Sequence, residues 1–570
     1  MERLSTLLFA EAVLLLFMTI CTTMAAAVSV DGQYSFVMNS STSPVQAEYD
    51  YIIVGGGTAG CPLAATLSEK YKVIVLERGG APFEKPNVQS INNFARVLAD
   101  IDDATISPAQ GFQSLDGVYN RRARVLGGGS AINAGFFSRA NPEWINNRHM
   151  KWNRVNASFE WVEAVVASFP SMGPWQTTVF DGLLEIGVGP NNGFTYDHKL
   201  GVKVGGSIFD QTGHRRTAAD LLQYANADNI FVYTYANAHQ ILFGFDPTTG
   251  KPQATGVLYT DENGRAHRAL LSNTKGSEVI ISAGALGSPQ LLMLSGIGPA
   301  DHLSEFNIPV VLDQPGVGSG MCDNPTLTMM VPSRVPLEQS LISTVGILAG
   351  GFYIEAASGP NEALGEVVAL NTLDPGYRNF DLLRTFASTI PTFPQDVLQE
   401  IANSGVLLGK IADPVSTGYL RLNNTDVRQN PIVKFNYFED PADIYACIEG
   451  VRVMVELTRS RAMSNLTYPL PESVKTFAGY VAPMAPDTTQ AALLGQWCRQ
   501  TVLTIWHFHG GNYRDVVVDH TYRVIGADAL RVIDGSTFNS SPGTNPQATV
   551  MMLGRYMGLE ILDERANTST

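Results

Sequence analysis

Cysteine is scarce in this sequence: there are five in 570 residues, none in a CxxC pair or at a zinc-ligand spacing. That argues against a structural zinc site and against a disulfide scaffold, which a chain of this length does not need. Charge is sparse as well, at 16% Asp, Glu, Lys and Arg, and one-sided, with a formal net charge of −15. No basic run interrupts the acidic balance, so nucleic acid and anionic membrane surfaces are not expected partners. No long low-complexity tract is present, and 45% of residues are hydrophobic. Such a chain folds, and its length supports a large core and more than one structural unit.

One window departs from this composition. AVLLLFMTI, Ala12–Ile20, runs into TMAAA, and no charge occurs between Ala12 and Val30. An apolar run of this length ahead of small residues is the pattern of a signal peptide, here residues 1–26 with cleavage near Ala25–Ala27. A membrane anchor is the competing reading. The leader predicts a secreted protein, extracellular or vacuolar. Six N-x-S/T sequons, at Asn39, Asn156, Asn423, Asn465, Asn539 and Asn567, would then be candidate glycosylation sites. Cys61, Cys322, Cys447 and Cys498 would remain after cleavage, enough for one disulfide.

The folded part opens on a strand pattern, YDYIIVGGG, Tyr49–Gly57. Its apolar core, Ile52–Val54, has the continuous run of a strand buried on both faces. CPLAATLSEKY then has helical spacing, and KVIVLERGG, Lys72–Gly80, reads as a second buried strand. This is the β-turn-α-β unit of a doubly wound sheet. Gly55, Gly57 and Gly60 form GxGxxG around Thr58 and Ala59. The first glycine suits a tight turn, the second backbone approach to a pyrophosphate, the third close helix–strand packing. Glu77 ends the second strand, where a carboxylate can accept both hydroxyls of an adenosine ribose. It would repel a 2′-phosphate. The fingerprint fits NAD or FAD.

Three more glycine-rich blocks narrow the choice: RRARVLGGGSAINAGFFSRA from Arg121, SAGALGSPQLLMLSGIGP from Ser282, and RVIDGSTFNSSPGTNPQATVMMLGRYMG from Arg531. Together with the fingerprint they resemble the glucose-methanol-choline (GMC) oxidoreductases, which are FAD enzymes. The likeness is greatest to the plant branch of HOTHEAD-type proteins and mandelonitrile (hydroxynitrile) lyases. It implies an α/β fold with a discontinuous Rossmann-like FAD-binding domain, residues 48–150, 215–330 and 500–565. A substrate domain, α+β on an antiparallel sheet, would take residues 151–214 and 331–499. Within the latter, Thr417–Phe438 reads as strands and turns, and Pro441–Met463 as a helix.

The resemblance also implies roles. Gly55, Gly57, Gly60 and Glu77 would meet the ADP half of FAD, and the Ala236–Ala238 backbone the adenine, although Ala238 stands where the branch usually has valine. Val125, Gly128, Ser130, Asn133, Ala134 and Gly135 would face the flavin and ribityl chain. Asp534 and Gly535 would lie at the pyrophosphate and ribityl side. Asn545, Pro546 and Gln547 would approach the pyrimidine edge. A disulfide between Cys447 and Cys498 is implied by the same likeness, with two separate thiols as the alternative.

TIWHFHGG, Thr504–Gly511, then becomes legible. Alcohol oxidation needs a base for the hydroxyl proton while hydride leaves carbon for flavin N5, and histidine suits that near neutral pH. The resemblance gives that role to His507 and makes Asn545 its partner. His509, two residues on, is expected to be structural rather than a second base. No metal is expected, since further ligands at a compatible spacing are missing. The expected activity is FAD-dependent oxidation of the CH–OH group of a small alcohol. The alternatives are cleavage of a cyanohydrin by an FAD-containing lyase and a catalytically silent secreted flavoprotein. The lyases carry histidine at the Asn545 position and tyrosine at the Ile505 position, so both residues favour oxidation. Trp506, Phe136 and Phe137 suggest an apolar substrate pocket. Finally, Asp515 stands where the branch usually has glycine. Either it sits beside the flavin and His507 and slows catalysis, or it pairs with Arg514 or solvent away from the site.

Overall fold

The structure is a computed structural model and describes residues 34–99, 107–359, 403–468 and 488–568. The leader expected over residues 1–26 lies outside them. Two large sheets organise the chain. The first has six strands, in the order Val37–Asn39, Ile230–Thr234, Val73–Leu76, Tyr51–Val54, Glu278–Ile281 and Leu530–Val532. Every pairing in it is parallel. Tyr51–Val54 and Val73–Leu76 are buried throughout, as their unbroken apolar runs require. Its edge strand, Val37–Asn39, precedes the segment where the pattern placed the start of the fold. Each residue there pairs with a strand almost two hundred residues away, a partner no local pattern reveals.

The helix Gly60–Ser68 follows the first central strand, and the C-terminal helix Gln547–Thr568 packs beside it. A four-stranded sheet, Asn237–Phe245, Pro252–Thr260, Ala266–Leu271 and Gln46–Tyr49, completes this half.

The second large sheet has seven strands, in the order Leu503–Thr504, Pro325–Val331, Gly405–Ile411, Phe352–Ser358, Thr344–Ile347, Gly201–Val204 and Asn191–Phe194. It is antiparallel except at its last pair. Its own apolar cluster lies against the helices Pro174–Glu185, Pro441–Thr458 and Ala491–Thr501. Cys447 and Cys498, from the last two of these helices, form a disulfide. Cys61 and Cys322 are buried thiols.

The segment Pro441–Met463 is two helices rather than one. The first ends at Thr458, and Ser460 starts the next by accepting from the Met463 N–H at 3.2 Å. A serine hydroxyl there satisfies an otherwise orphaned helix donor. Within Thr417–Phe438 the strands Gly418–Arg421 and Ile432–Lys434 pair as expected. Among the described residues no helix is long and apolar enough to cross a membrane.

Candidate active site

A cavity of about 300 Å³ lies between the two sheets, and residues from both the fingerprint and TIWHFHGG line it. Its floor starts at the end of the strand Tyr51–Val54. The three fingerprint glycines differ in what requires them. At Gly55, φ is +103° and an added Cβ would sit 2.4 Å from the Ser282 carbonyl oxygen. At Gly60 it would sit 2.0 Å from the Gly55 carbonyl oxygen. The fold itself forbids a side chain at both. Gly57 has no positive φ, and its nearest neighbours would be 3.8 Å away. Nothing in the protein requires glycine there, yet Gly57 lines the cavity. Gly535 lines the same cavity and also has open space at its Cβ position. These two positions fit an occupant that needs close backbone approach.

Glu77 is buried at the adjoining strand end and accepts from the Gly79 N–H at 2.8 Å and the Gly56 N–H at 3.1 Å. Burial raises its carboxyl, and those donors offset part of the effect. Thr58, Ala59, Val125, Gly128, Ser130, Asn133, Ala134, Gly135, Phe136 and Ala238 line the cavity as well, together with Trp506, His507, Asp534, Asn545, Pro546 and Gln547. Gly60 lies just behind the wall. Phe137 does not line the cavity. It is buried against Tyr196, because adjacent strand residues face opposite sides.

Several of these side chains are committed to the protein. Asp534 accepts from the Gly284 and Ser536 N–H groups, both at 2.8 Å. Asn133 donates to Gln547 Oε1 at 2.9 Å, and Gln547 Nε2 donates to the Phe136 carbonyl at 2.6 Å. Gln547 therefore meets the cavity mainly with the helix end it begins, whose free N–H groups favour negative charge. The turn Ser282–Ala285 also lines the cavity. Its SAGALGSP sequence marked it as glycine-rich without showing which residues face inward.

His507 arrives by a bulge rather than a regular strand. Thr504 pairs with Pro325 and His509 with Cys322, so residues 505–508 span the space opposite only Asp323 and Asn324. Trp506 takes φ +59° to make the excursion. The bulge sends His507 into the cavity and leaves His509 outside it, where its Nδ1 lies 3.0 Å from the His507 carbonyl oxygen. The outward turn of His509 therefore comes from the bulge, since in a regular strand residues two apart share a face. Burial pushes the His507 ring well below the usual histidine range, assisted by the positive charge of Lys410 and by His509. It is a neutral imidazole at physiological pH. His507 Nδ1, Asn545 Oδ1 and Trp506 Nε1 are buried with no hydrogen-bond partner among the described residues. Orphaned buried polar atoms are rare in folded proteins, and three in one cavity fit a site built for a ligand.

Asp515 is not part of it. Its side chain is exposed, outside the cavity wall, on a turn closed by its own N–H to the Val518 carbonyl at 2.6 Å. Its φ of +69° lies in the left-handed region that favours glycine. Aspartate is among the few other residues that tolerate that conformation. Arg514 is turned away too, with its backbone held by Asn539. The expectation of a carboxylate beside His507 is overturned.

GMC oxidoreductase family models match residues 49–326 and 414–554. The chain belongs to the GMC oxidoreductase family. As a member it is an FAD-dependent oxidoreductase, and the cradle at Gly57 and Gly535 fits that cofactor. Among its relatives is Protein HOTHEAD of Arabidopsis thaliana, 48% identical, with 92% of this chain and 90% of the relative covered. A second Arabidopsis thaliana protein, named (R)-mandelonitrile lyase-like, is also 48% identical, over 94% and 93%. The Sinalpyl alcohol oxidase Nec3 of Nesocodon mauritianus is 41% identical, over 91% and 90%. A formate oxidase of Aspergillus oryzae has the same fold, with a TM-score of 0.73 at 19% identity over 92% of this chain and all of that one. Among the described residues no group of side chains could hold a metal ion.

Proposed function

We propose that this GMC oxidoreductase oxidises the CH–OH group of a small alcohol, with His507 as the base. The observation that carries this reading is the buried, neutral His507 facing a cavity that Asn545 also lines, each with a polar atom lacking a partner among the described residues. The chemistry supplied by bound FAD is acceptance of hydride from the carbinol carbon. His507 takes the hydroxyl proton onto a ring nitrogen, which its depressed basicity leaves free at neutral pH. Asn545 holds the substrate oxygen without competing for a full proton. Gly55, Gly57 and the start of the Gly60–Ser68 helix hold the pyrophosphate, Glu77 the adenosine ribose, and Ala236–Ala238 the adenine. Ser130, Asn133, Gly135 and the Asn545–Gln547 turn bound the flavin side. Trp506 and Phe136 wall the substrate end and help to exclude water.

For the division into an FAD-binding part, residues 48–150, 215–330 and 500–565, and a substrate part, residues 151–214 and 331–499, the support is partial. Five of the six strands of the parallel sheet fall in the first and five of the seven strands of the other sheet in the second, but Leu503–Thr504 and most of Pro325–Val331 join the second sheet from the first part, and Val37–Asn39 lies outside both. A secreted glycoprotein is supported by the leader pattern, the disulfide, and the exposed sequons at Asn156, Asn423, Asn465, Asn539 and Asn567.

Cyanohydrin cleavage is the second reading, favoured by the name of one 48% identical relative. Asn545 and Ile505, in place of the histidine and tyrosine of the lyases, favour oxidation. Anaerobic mixing of the purified flavoprotein with primary alcohols, ω-hydroxy acids and mandelonitrile decides between them. Flavin bleaching by an alcohol supports oxidation. Cyanide release without bleaching replaces it with the lyase, and neither response marks a silent flavoprotein.

A further inference from the structure

We propose that Asp323 is a positioning residue for His507, clamping the bulge that carries the ring into the cavity. The inference rests on His507 being the base. Asp323 sits on the inner side of the bulge, in the two-residue gap facing residues 505–508. It is fully enclosed and binds the bulge directly. The Thr504 hydroxyl donates to Asp323 Oδ2 at 2.6 Å, and the Trp506 N–H donates to that same hydroxyl at 2.8 Å. The Tyr437 hydroxyl donates to the same Oδ2. Both hydroxyls converge on Oδ2, while Asp323 Oδ1 is buried with no hydrogen-bond partner among the described residues. The grip on the bulge thus runs from the carboxyl through the Thr504 hydroxyl to the Trp506 N–H, one residue before His507.

An ionised carboxylate holds such donors more strongly than a neutral carboxyl, whose remaining acceptor oxygen makes the weaker, neutral hydrogen bonds. Burial pushes the Asp323 carboxyl up to about 7, with the Thr504 and Tyr437 hydroxyls opposing the rise. The titratable side chains around it are Tyr437, Tyr353 and Cys322, all raised well above their ordinary values and so uncharged near neutrality. His507 is shifted the other way. With that carboxyl pushed up to about 7 and His507 pushed down, acidification weakens the clamp before it protonates His507.

The test uses FAD-loaded full-length protein and the alcohol that bleaches the flavin fastest. Flavin content and the anaerobic reduction rate are measured across pH for Asp323→Asn, Thr504→Val and His507→Ala. Asp323→Asn is expected to retain FAD, to reduce it about 10²-fold more slowly, and to lose the acid limb near neutrality. Thr504→Val removes a donor from the carboxylate and should move that limb up by about one pH unit. A generally loosened fold would not remove the limb in one variant and displace it in the other. Wild-type rates and limbs in both variants overturn the proposal. If Asp323→Asn fails to fold, an unmoved limb in Thr504→Val does so alone. Wild-type reduction in His507→Ala overturns the base assignment beneath it.

Discussion

Gly57 and Gly60 lie three residues apart, and the structure separates their functions by a measurable contrast. Gly60→Ala places a Cβ 2.0 Å from the Gly55 carbonyl oxygen. Both contacting groups are backbone, so neither yields without moving strand or helix. Overpacking of this kind costs about 1–3 kcal/mol and sometimes more. Gly57→Ala places its Cβ 3.8 Å from the nearest atoms, an ordinary contact at a backbone angle that alanine accepts. Its effect on the flavin-free fold should stay within about 0.5 kcal/mol, or be slightly favourable through reduced freedom of the unfolded chain. Its cost falls on FAD instead. A methyl group intruding on a tight contact at about 1–3 kcal/mol weakens binding roughly 5- to 150-fold, and Gly57→Val should abolish loading. Flavin-stripped proteins would be melted with and without FAD and titrated for the dissociation constant. Wild type should gain melting temperature with FAD according to ligand linkage. Gly57→Ala should melt like wild type without FAD and gain less with it. Gly60→Ala should melt lower in both conditions. Wild-type FAD affinity in Gly57→Ala, or a flavin-free melting loss equal to that of Gly60→Ala, would refute the reasoning.

His507→Ala should retain FAD and lose about 10²–10⁴-fold in flavin reduction by alcohol in stopped flow, with Asn545→Ala milder because it removes no proton acceptor. His509 is held at about 4 by burial, below the usual histidine value of 6.5. The unfolded chain therefore binds the proton first, and stability should fall as pH drops through that window by about 1.4 kcal/mol per unit. Melting scans of wild type and His509→Gln should show a shallower acid slope in the variant. Asp515→Gly should leave the rate and pH profile of flavin reduction unchanged, since the side chain is exposed and outside the cavity. A shifted acid limb would return Asp515 to the site. The disulfide closes a sequence separation of 51 residues, and Cys447→Ser should cost about 3–5 kcal/mol in chemical denaturation. Non-reducing peptide mapping of wild type should find both cysteines linked.

The sequence by itself determined the dinucleotide unit. Its strands are continuous apolar runs, its glycines lie within six residues, and Glu77 follows at the end of the next strand, so every part is local. The resemblance carried the reading further, to FAD, to His507 and Asn545, and to the Cys447–Cys498 pairing. Only the tertiary structure decided where the side chains point. Phe136 faces the cavity and Phe137 does not, because the strand pairing sets which face is inward. His507 enters and His509 stays out because a bulge interrupts the strand, and that bulge exists only when Thr504 and His509 meet Pro325 and Cys322. Asp515 stands four residues past Gly511, yet its turn carries it to the surface. Asp323 went unnoticed in a sequence where it precedes Thr504 by 181 residues. Periodicity reports which face of an element is buried. It carries nothing about which distant strand supplies the partner, and the placement of the base depends on that partner.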